Sequence, residues 1–239
     1  MPTVKEGVVV KHKHFALSYV EKYEVAEWVA YELTRNQLKQ NRVPRVDNFL
    51  PDQLVSTTSA DTYDYRGSGY DRGHLIPAAD RAFSREAMDE TFLMSNITPQ
   101  DRSFNGGIWR ELEELVRDWA YKFNKLYIVT GPILTQPIKG TIGKNKVAVP
   151  SAFYKLILDI SEPELKAIAF VIPNELSNQP LQDFATSIDQ VEEQTGLNFF
   201  SDLLEDELEA ELEGNSEITL WEFDESKFKK RIGEWNRKD

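Results

Sequence analysis

The chain has no cysteine and only three histidines among its 239 residues. Without cysteine there is no disulfide framework, no thiol nucleophile and no thiolate metal site. No stretch of the sequence approaches the ~20 consecutive apolar residues that a membrane-spanning helix needs, so no membrane partner is predicted. The N-terminal segment also lacks the basic and then apolar pattern of an export signal. These absences restrict any catalysis to oxygen and nitrogen groups.

Basic residues are scarce in only one part of the chain. The formal net charge is −12. Residues 1–160 nevertheless carry 21 Lys and Arg against 20 Asp and Glu, whereas residues 161–239 carry 7 against 20. The acidity therefore belongs to the C-terminal third, and a local basic groove elsewhere is compatible with the acidic total. Nucleic acid is not excluded as a partner.

Apolar residues make up 41% of the chain, which is sufficient for an extended core. No internal repeat and no long linker divides the sequence, so we predict one α+β domain over residues 1–239 with a mixed central sheet and flanking helices. Segment 24–34 is compatible with a strand or a helix, and 203–214 with an acidic helix or a solvated run. The predicted strands are 7–20, 126–135, 146–161, 165–174 and 218–223, and the predicted helices are 105–124 and 180–196.

One histidine, His74, lies in the segment YDRGHLIPAAD directly behind Asp71, Arg72 and a glycine. The simple interpretation is a short polar turn between two apolar stretches. The functional interpretation is a general base beside an arginine that binds phosphate, because imidazole titrates near neutrality and guanidinium is always charged. With an ordinary pKa of ~6.5, such a base predicts activity that falls below about pH 6.

An asparagine stands at the start of the most strongly periodic helix, 105–124. At ~100° per residue the apolar side chains of this segment fall within a ~120° arc centred near Asn105, so its amide is predicted to follow the buried stripe. Glu113 and Arg117 lie at one edge of that arc and are close enough to pair. The simple interpretation is a helix cap and a solvated ion pair. The functional one is an oxygen ligand for Mg²⁺ with an acidic group beside the ion's water.

Five motifs follow one another in a fixed order, and together they resemble the non-specific DNA/RNA endonucleases of the ββα-metal class, which includes endonuclease G. DRGH alone is a weak signal, but the order and spacing of all the motifs are specific. The resemblance covers about residues 8–175, and we expect the acidic residues 176–239 to pack on the same nuclease domain. The motifs are DRGH (71–74), SNITPQ (95–100), FNGGIWRELE (104–113), TGP (130–132) and VPSAFYK (149–155).

The resemblance implies a role for each matched residue. Asn105 is implied to be the one direct protein ligand of Mg²⁺, for which Mn²⁺ substitutes, and His74 to be the general base. Glu113 is implied to orient a water on the ion, and Asn96 to position the histidine. The implied phosphate contacts are Arg72, Arg117 and Arg45.

The resemblance also implies an activity: a metal-dependent endonuclease that hydrolyses DNA and RNA with little sequence preference, leaving 5′-phosphate and 3′-hydroxyl ends. One alternative is a nucleic-acid-binding module without activity, and another is a nuclease toxin with a cognate protein inhibitor. The presence of both His74 and Asn105 favours an enzyme, because a silent module needs neither. We expect a secreted or periplasmic protein, with this chain as its mature part, because an unregulated nuclease would attack its own cell. No motif specifies an oligomeric state.

Three other polar features receive structural interpretations. His12 and His14 share one face of the first predicted strand, but no third metal ligand is evident nearby, so we expect a solvent-facing edge. Asp71 is expected to be an orienting partner rather than a metal ligand. The acidic run 205–214 is expected to be a solvated face away from the active groove.

Overall fold

The computed structural model of the chain describes residues 1–135 and 137–237. The strands, in chain order, are β1 (Val8–Lys11), β2 (Ala16–Val20), β3 (Val25–Thr34), β4 (Asp71–His74), β5 (Ile97–Gln100), β6 (Lys125–Pro132), β7 (Gly140–Ile142), β8 (Val147–Val149), β9 (Ala152–Asp159), β10 (Lys166–Pro173) and β11 (Ala185–Thr186). The α-helices are α1 (Arg35–Lys39), α2 (Thr62–Tyr65), α3 (Arg85–Glu90), α4 (Arg110–Phe123), α5 (Ile188–Thr195), α6 (Asp206–Gly214) and α7 (Glu225–Gly233).

A seven-stranded sheet in the order β1-β2-β3-β6-β9-β10-β11 forms the centre of the fold. The predicted α+β class, with a central sheet and flanking helices, is confirmed. The pairs within this sheet are antiparallel rather than mixed. Antiparallel pairing follows from the connections, because hairpins join β1 to β2, β2 to β3 and β9 to β10. β4 and β5 form a separate two-stranded sheet.

Alternation along the strands divides the core between the two faces of the sheet. In β9, Phe153 and Ile157 belong to the apolar cluster that includes the buried side of α4. The intervening residues Tyr154 and Leu156 belong to a second cluster, which includes apolar residues of α5 and α6. Because successive side chains of a strand point to opposite faces, α4 covers one face of the sheet and α5 and α6 cover the other.

The predicted strand boundaries were right only in part. Segment 7–20 forms two strands with a turn between them, and 24–34 contains a strand, β3. The predicted strand 218–223 is wrong: it contains a short 3₁₀ turn, Ile218–Leu220. Its apolar residues pack on a helix instead of a neighbouring strand, with the Trp221 and Trp119 ring centroids 4.7 Å apart. Helix α7, which follows, was not predicted.

The C-terminal helix is attached to α4 by a buried ion pair. Arg231 of α7 is fully buried and its Nε donates to Glu111 of α4. Its Nη2 donates to the carbonyl of Gln179 at 2.6 Å. Further on, the side chain of Asn236 lies so close to Gly107 that a Cβ at that position would stand 2.7 Å from its Oδ1. The end of the described chain therefore contacts the turn that precedes α4.

The acidic run 205–214 is not wholly solvated, contrary to expectation. Leu212 and Glu213 are buried. The reason is that α6, which contains them, packs against α5 and β10 and covers one face of the sheet. Only the other side of this helix faces water.

Candidate active site

A hairpin followed by a helix brings the sequence motifs together. The register of β4 and β5 pairs Asp71 with Gln100 and His74 with Ile97. Gly73 is required at its position because a Cβ there would lie 2.1 Å from the side chain of Gln100. After β5, a kinked π-helical turn, Phe104–Trp109, leads directly into α4. The DRGH strand, the SNITPQ strand and the helix that begins beyond Asn105 thus form one ββα unit.

His74 is held as a neutral imidazole between aromatic rings. Its ring centroid lies 5.6 Å from that of Phe49 and 5.0 Å from that of Phe92. Its Nε2 is buried and has no hydrogen-bond partner in the described residues. Burial, followed by the positive charge of Arg45, lowers the pKa of His74 to about 3. The expectation of a pKa near neutrality is therefore wrong for this environment, because desolvation disfavours the charged ring.

Asn105 is fixed by a carboxylate from the opposite side of the ββα unit. Its Nδ2 donates to Oδ2 of Asp71 over 3.0 Å. The other oxygen of Asp71 accepts from Nε of Arg102 at 3.3 Å. The amide nitrogen of Asn105 is thus engaged, and its carbonyl oxygen is the atom left to bind a ligand.

An open cleft of about 570 Å³ lies over this hairpin. Asn105 and Asp71 are part of its wall. Arg72 is exposed, and its guanidinium carbon stands 4.2 Å from the centroid of Phe49, over the face of the ring. Arg45 pairs with Asp47, with 2.6 Å between Nε and Oδ1. The arginines that line the cleft are Arg45, Arg66, Arg72 and Arg102.

Asn96 is fully buried, and its side chain forms hydrogen bonds with the backbone that follows His74 rather than with the imidazole. Its Oδ1 accepts from the backbone nitrogen of Ile76 at 2.9 Å, and its Nδ2 donates to the Ile76 carbonyl at 3.1 Å. A second bond from Nδ2 reaches the Thr91 carbonyl at 2.9 Å. These bonds fix the backbone two residues after His74.

Glu113 and Arg117 are half-buried and lie near the buried charged residues Asp80 and Lys155 rather than on a solvated flank. Arg117 pairs with Asp80, with 3.0 Å between Nη1 and Oδ1, instead of with Glu113. Burial raises the pKa of Glu113, although the nearby Lys155 and Arg117 act in the opposite direction. Lys155 is buried, and its Nζ stands 4.7 Å from the Trp109 ring centroid without a hydrogen-bond partner in the described residues. Neither Glu113 nor Arg117 lines the cleft.

The predicted site residues therefore fall into three groups. Arg45, Arg72 and Asn105 share the cleft, and His74 lies just behind its Phe49 wall. Asn96 supports the hairpin from inside, and the charged group of α4 is separate from the cleft wall. The residues that sequence reasoning missed are Arg66, Arg102, Asp80 and Lys155. Of these, Arg102 was the easiest to identify from the sequence, because it stands three residues before Asn105 and two after the SNITPQ motif.

The two other histidines do not face solvent as expected. His12 Nε2 lies 2.9 Å from Oδ2 of Asp52, and both side chains are almost fully buried. His14 Nδ1 lies 2.8 Å from Oε2 of Glu90. The turn between β1 and β2 folds against distant acidic residues, which the local strand pattern did not reveal. Each ring thus binds a carboxylate of its own.

The ββα unit, with an imidazole on its first strand and an amide before its helix, has the arrangement of the ββα-metal nucleases. Residues 1–206 match the family described as DNA/RNA non-specific endonuclease. The chain belongs to this family, whose members are metal-dependent nucleases. The match extends beyond the expected 8–175 at both ends and leaves the segment that contains α7 outside it.

Similar proteins include nucleases of animals and fungi. The chain is 36% identical over 208 residues to "Nuclease EXOG, mitochondrial" of Homo sapiens, which covers 80% of this chain and 56% of that protein. It is 36% identical over 210 residues to "Nuclease C1" of Cunninghamella echinulata var. echinulata, which covers 81% of this chain and 83% of the relative. This chain thus spans little more than half of the human protein.

A solved structure supports the fold. The chain aligns with a crystal structure of the EndoG/EndoGI complex, which concerns the mechanism of EndoG inhibition, with a TM-score of 0.75 at 32% identity. The alignment covers 84% of this chain and 89% of that one. Among the described residues of this protein, the helices are all too short or too polar to cross a membrane.

Proposed function

We propose that the chain is a metal-dependent endonuclease that hydrolyses phosphodiester bonds of DNA and RNA with little sequence preference. The observation that supports this most directly is the neutral His74, with an unpartnered Nε2, behind an arginine-lined cleft that contains Asn105. A general base needs an unprotonated nitrogen within reach of its proton, and a phosphodiester needs fixed positive charge. Family membership and the relatives agree with the proposal.

In the proposed reaction, Nε2 of His74 accepts a proton from a water molecule. The water oxygen forms a bond to phosphorus in line with the departing 3′ oxygen, whose bond to phosphorus breaks. The departing 3′ oxygen takes up a proton from solvent water, so the products carry 5′-phosphate and 3′-hydroxyl ends. Arg72 contacts the phosphate oxygens, since it is exposed in the cleft and forms no ion pair with another described residue. Arg45 serves as a second phosphate contact at the edge of the cleft.

The donor groups at the cleft fit a hard cation that retains most of its water. Mg²⁺ takes oxygen ligands and is commonly held by few protein groups, and the free carbonyl oxygen of Asn105 is such a ligand. When bound, Mg²⁺ or Mn²⁺ supplies charge that stabilises a non-bridging oxygen and the leaving oxygen. Asp71 holds the amide in orientation. Glu113 does not line the cleft, so its proposed role is to accept hydrogen bonds from water that would lie between the ion and α4.

We propose that Arg117 acts through its ion pair with Asp80 and not by contacting phosphate on its own. Its guanidinium is bound by Asp80, and its side chain is only 18% exposed. Asp80 also accepts a hydrogen bond from the hydroxyl of Tyr31 at 2.9 Å. This arrangement holds α4, and with it Glu113, against β3.

The composition of the cleft supports broad substrate use. Arginines that bind phosphate carry little sequence information, and Tyr63, which also lines the cleft, offers a sequence-tolerant stacking surface because it is 75% exposed. Both DNA and RNA present the same phosphodiester to these groups. A binding module without activity is disfavoured, because it has no use for a buried unpartnered imidazole.

A protein inhibitor and an exported location remain part of the proposal. The solved structure of the EndoG/EndoGI complex concerns the inhibition of EndoG, which supports a cognate inhibitor here and keeps a toxin with such an inhibitor as a second candidate. Relatives with mitochondrial in their names include the EXOG nuclease and the endonuclease G of Homo sapiens. Secretion or a periplasmic site for this chain follows from the damage that an unregulated nuclease would cause. Fractionation of the source cells with an antibody tests the location.

The test of the activity incubates supercoiled plasmid and a structured RNA with the protein in Mg²⁺, in Mn²⁺ and in EDTA. We expect cleavage of both nucleic acids with either metal and none in EDTA. His74→Asn should abolish most of the activity, while His14→Asn, a matched histidine variant away from the cleft, should retain it. Binding of nucleic acid without cleavage by the wild type would instead support the silent module.

A further inference from the structure

Three carboxylates lie together on the face of the sheet opposite α4. Asp189 and Glu192 stand one turn apart on α5, and Glu213 comes from α6. One oxygen from each lies within 4.8 Å of the others. The apolar cluster beneath them belongs to the α5 side of the sheet, so the central sheet separates this group from Asn105 and the cleft.

Glu213 is the unusual member of this group. Glu213 is only 2% exposed, and its Oε1 accepts no hydrogen bond from a described residue. Burial, followed by the charges of Glu192, Glu209 and Asp189, raises the pKa of Glu213 to about 8, and the Phe200 backbone amide opposes part of this rise. A buried carboxylate without a partner is expensive, because its desolvation is not compensated.

The surroundings of Glu213 supply further oxygens and no counter-charge. None of the ion pairs formed by the described residues involves Asp189, Glu192, Glu209 or Glu213. Nδ2 of Asn198 donates to Glu209 at 3.2 Å, while its buried Oδ1 has no partner in the described part of the chain. The unpartnered Oδ1 of Asn198 thus belongs to a residue that is bonded to Glu209, one of the carboxylates whose charge acts on Glu213.

We propose that Asp189, Glu192 and Glu213 bind a Ca²⁺ ion that fastens α6 to α5. Ca²⁺ takes six to eight oxygen ligands at about 2.3–2.6 Å, so two of its ligands stand at most about 5 Å apart, and oxygens that all lie within 4.8 Å of one another meet this limit. Mg²⁺ requires shorter distances of about 2.0–2.1 Å and a near-ideal octahedron. The site is structural and independent of the proposed nuclease activity.

Binding is tested on the full chain carrying Asn105→Ala, which removes the expected metal ligand of the cleft. The protein is stripped with EDTA, and its thermal unfolding and calorimetric titration are measured with Ca²⁺ or Mg²⁺ at up to roughly 10 mM, well above the dissociation constants of ordinary protein Ca²⁺ sites. We expect one Ca²⁺ per chain and a rise in Tm of roughly 5–10 °C at saturation. Mg²⁺ should have a much smaller effect.

Two substitutions locate the ion. Glu213→Gln should remove the Ca²⁺-dependent rise in Tm, and Asp189→Asn, at an exposed position where folding is not at stake, should weaken Ca²⁺ binding about tenfold or more. Glu193→Gln, an exposed neighbour on the same helix, is the matched control and should respond like the parent. An unchanged Tm in the parent, or a rise that persists in both Glu213→Gln and Asp189→Asn, overturns the proposal. An unchanged Tm in the parent would mean that Glu213 carries a proton instead of binding Ca²⁺.

Discussion

Asp71 and Asn105 face each other across the ββα unit, and the asparagine amide donates to the aspartate over 3.0 Å. The two residues are 34 positions apart in the sequence, so the contact exists only because β4 and the turn before α4 are folded together. The side-chain amide of Asn105 has an oxygen and a nitrogen of similar size, and only the oxygen binds a cation. Asp71 therefore determines which end of Asn105 is available.

Asp71→Asn should weaken metal binding at the cleft without unfolding the protein. An asparagine at this position no longer requires a donor from Asn105, so the amide loses its fixed orientation. We expect the Mg²⁺ concentration for half-maximal cleavage to rise ~10–100-fold, as for other partners of metal ligands. Asp89→Asn, an exposed aspartate on α3, is the control. An unchanged Mg²⁺ requirement in Asp71→Asn contradicts the orienting role.

His74→Asn should reduce the rate of cleavage by ~10²–10⁴-fold, as expected for loss of a general base. Asparagine is chosen because it retains more of the side-chain volume than alanine at a position where His74 packs between Phe49 and Phe92. His74→Ala should in addition lower the free energy of unfolding by about 1–3 kcal/mol through the cavity it leaves. Urea unfolding distinguishes the two effects. Wild-type cleavage by folded His74→Asn would assign the base to another group.

The depressed pKa of His74 makes a prediction for stability against pH. The folded pKa is about 3 and the ordinary value is 6.5, so the unfolded chain binds a proton first as the pH falls. This stabilisation is complete above pH 6.5 and is lost as the pH falls from 6.5 towards 3. The wild type should lose up to ~1.4 kcal/mol per pH unit from this group within that window. Urea unfolding at several pH values should show a smaller slope for His74→Asn, and equal slopes would contradict the prediction.

Lys155→Met should displace the pH profile of cleavage towards alkaline values. The charge of Lys155 lowers the pKa of Glu113 and so opposes the effect of burial. Without that charge Glu113 requires a higher pH to ionise, and only the carboxylate accepts hydrogen bonds as proposed. The measurement is kcat/KM against pH. Lys166→Met, which also removes a buried lysine stacked on an aromatic ring, should leave the profile unchanged, whereas an equal displacement in both would indicate a general effect of charge.

Much of the site could be predicted from the sequence because its parts are local motifs. His74 and Asn105 come from short motifs whose spacing matches a strand, a second strand and a helix, and the structure places them in such a unit. The partners of charged residues could not be predicted in this way. Arg117 was expected to pair with Glu113 four residues away, but it binds Asp80, which is 37 residues distant. Helical spacing shows only which neighbours are available, and burial selects among more distant groups.

The C-terminal segment was the least predictable part of the fold, because its contacts too are with residues that are distant in the sequence. Arg231 donates to Glu111 and to two backbone carbonyls in a fully buried position. Arg231→Ala leaves Glu111 buried without its partner, and removal of one member of such a pair costs about 3–5 kcal/mol. Urea unfolding should show this loss, while Lys229→Ala, which breaks an exposed pair with Glu225 on the same helix, should cost less than about 1 kcal/mol.

Arg231→Ala should also affect the site, because the chain beyond α7 contacts the turn before α4. Asn236 lies against Gly107, two residues from Asn105, and Arg110 stands 4.1 Å from the Trp235 ring centroid. When α7 detaches, these contacts are lost and the turn that carries Asn105 is less constrained. The Mg²⁺ concentration for half-maximal cleavage should therefore rise in Arg231→Ala under conditions where the protein remains folded. An unaltered Mg²⁺ requirement, together with the expected loss of stability, would show that α7 stabilises the fold without shaping the cleft.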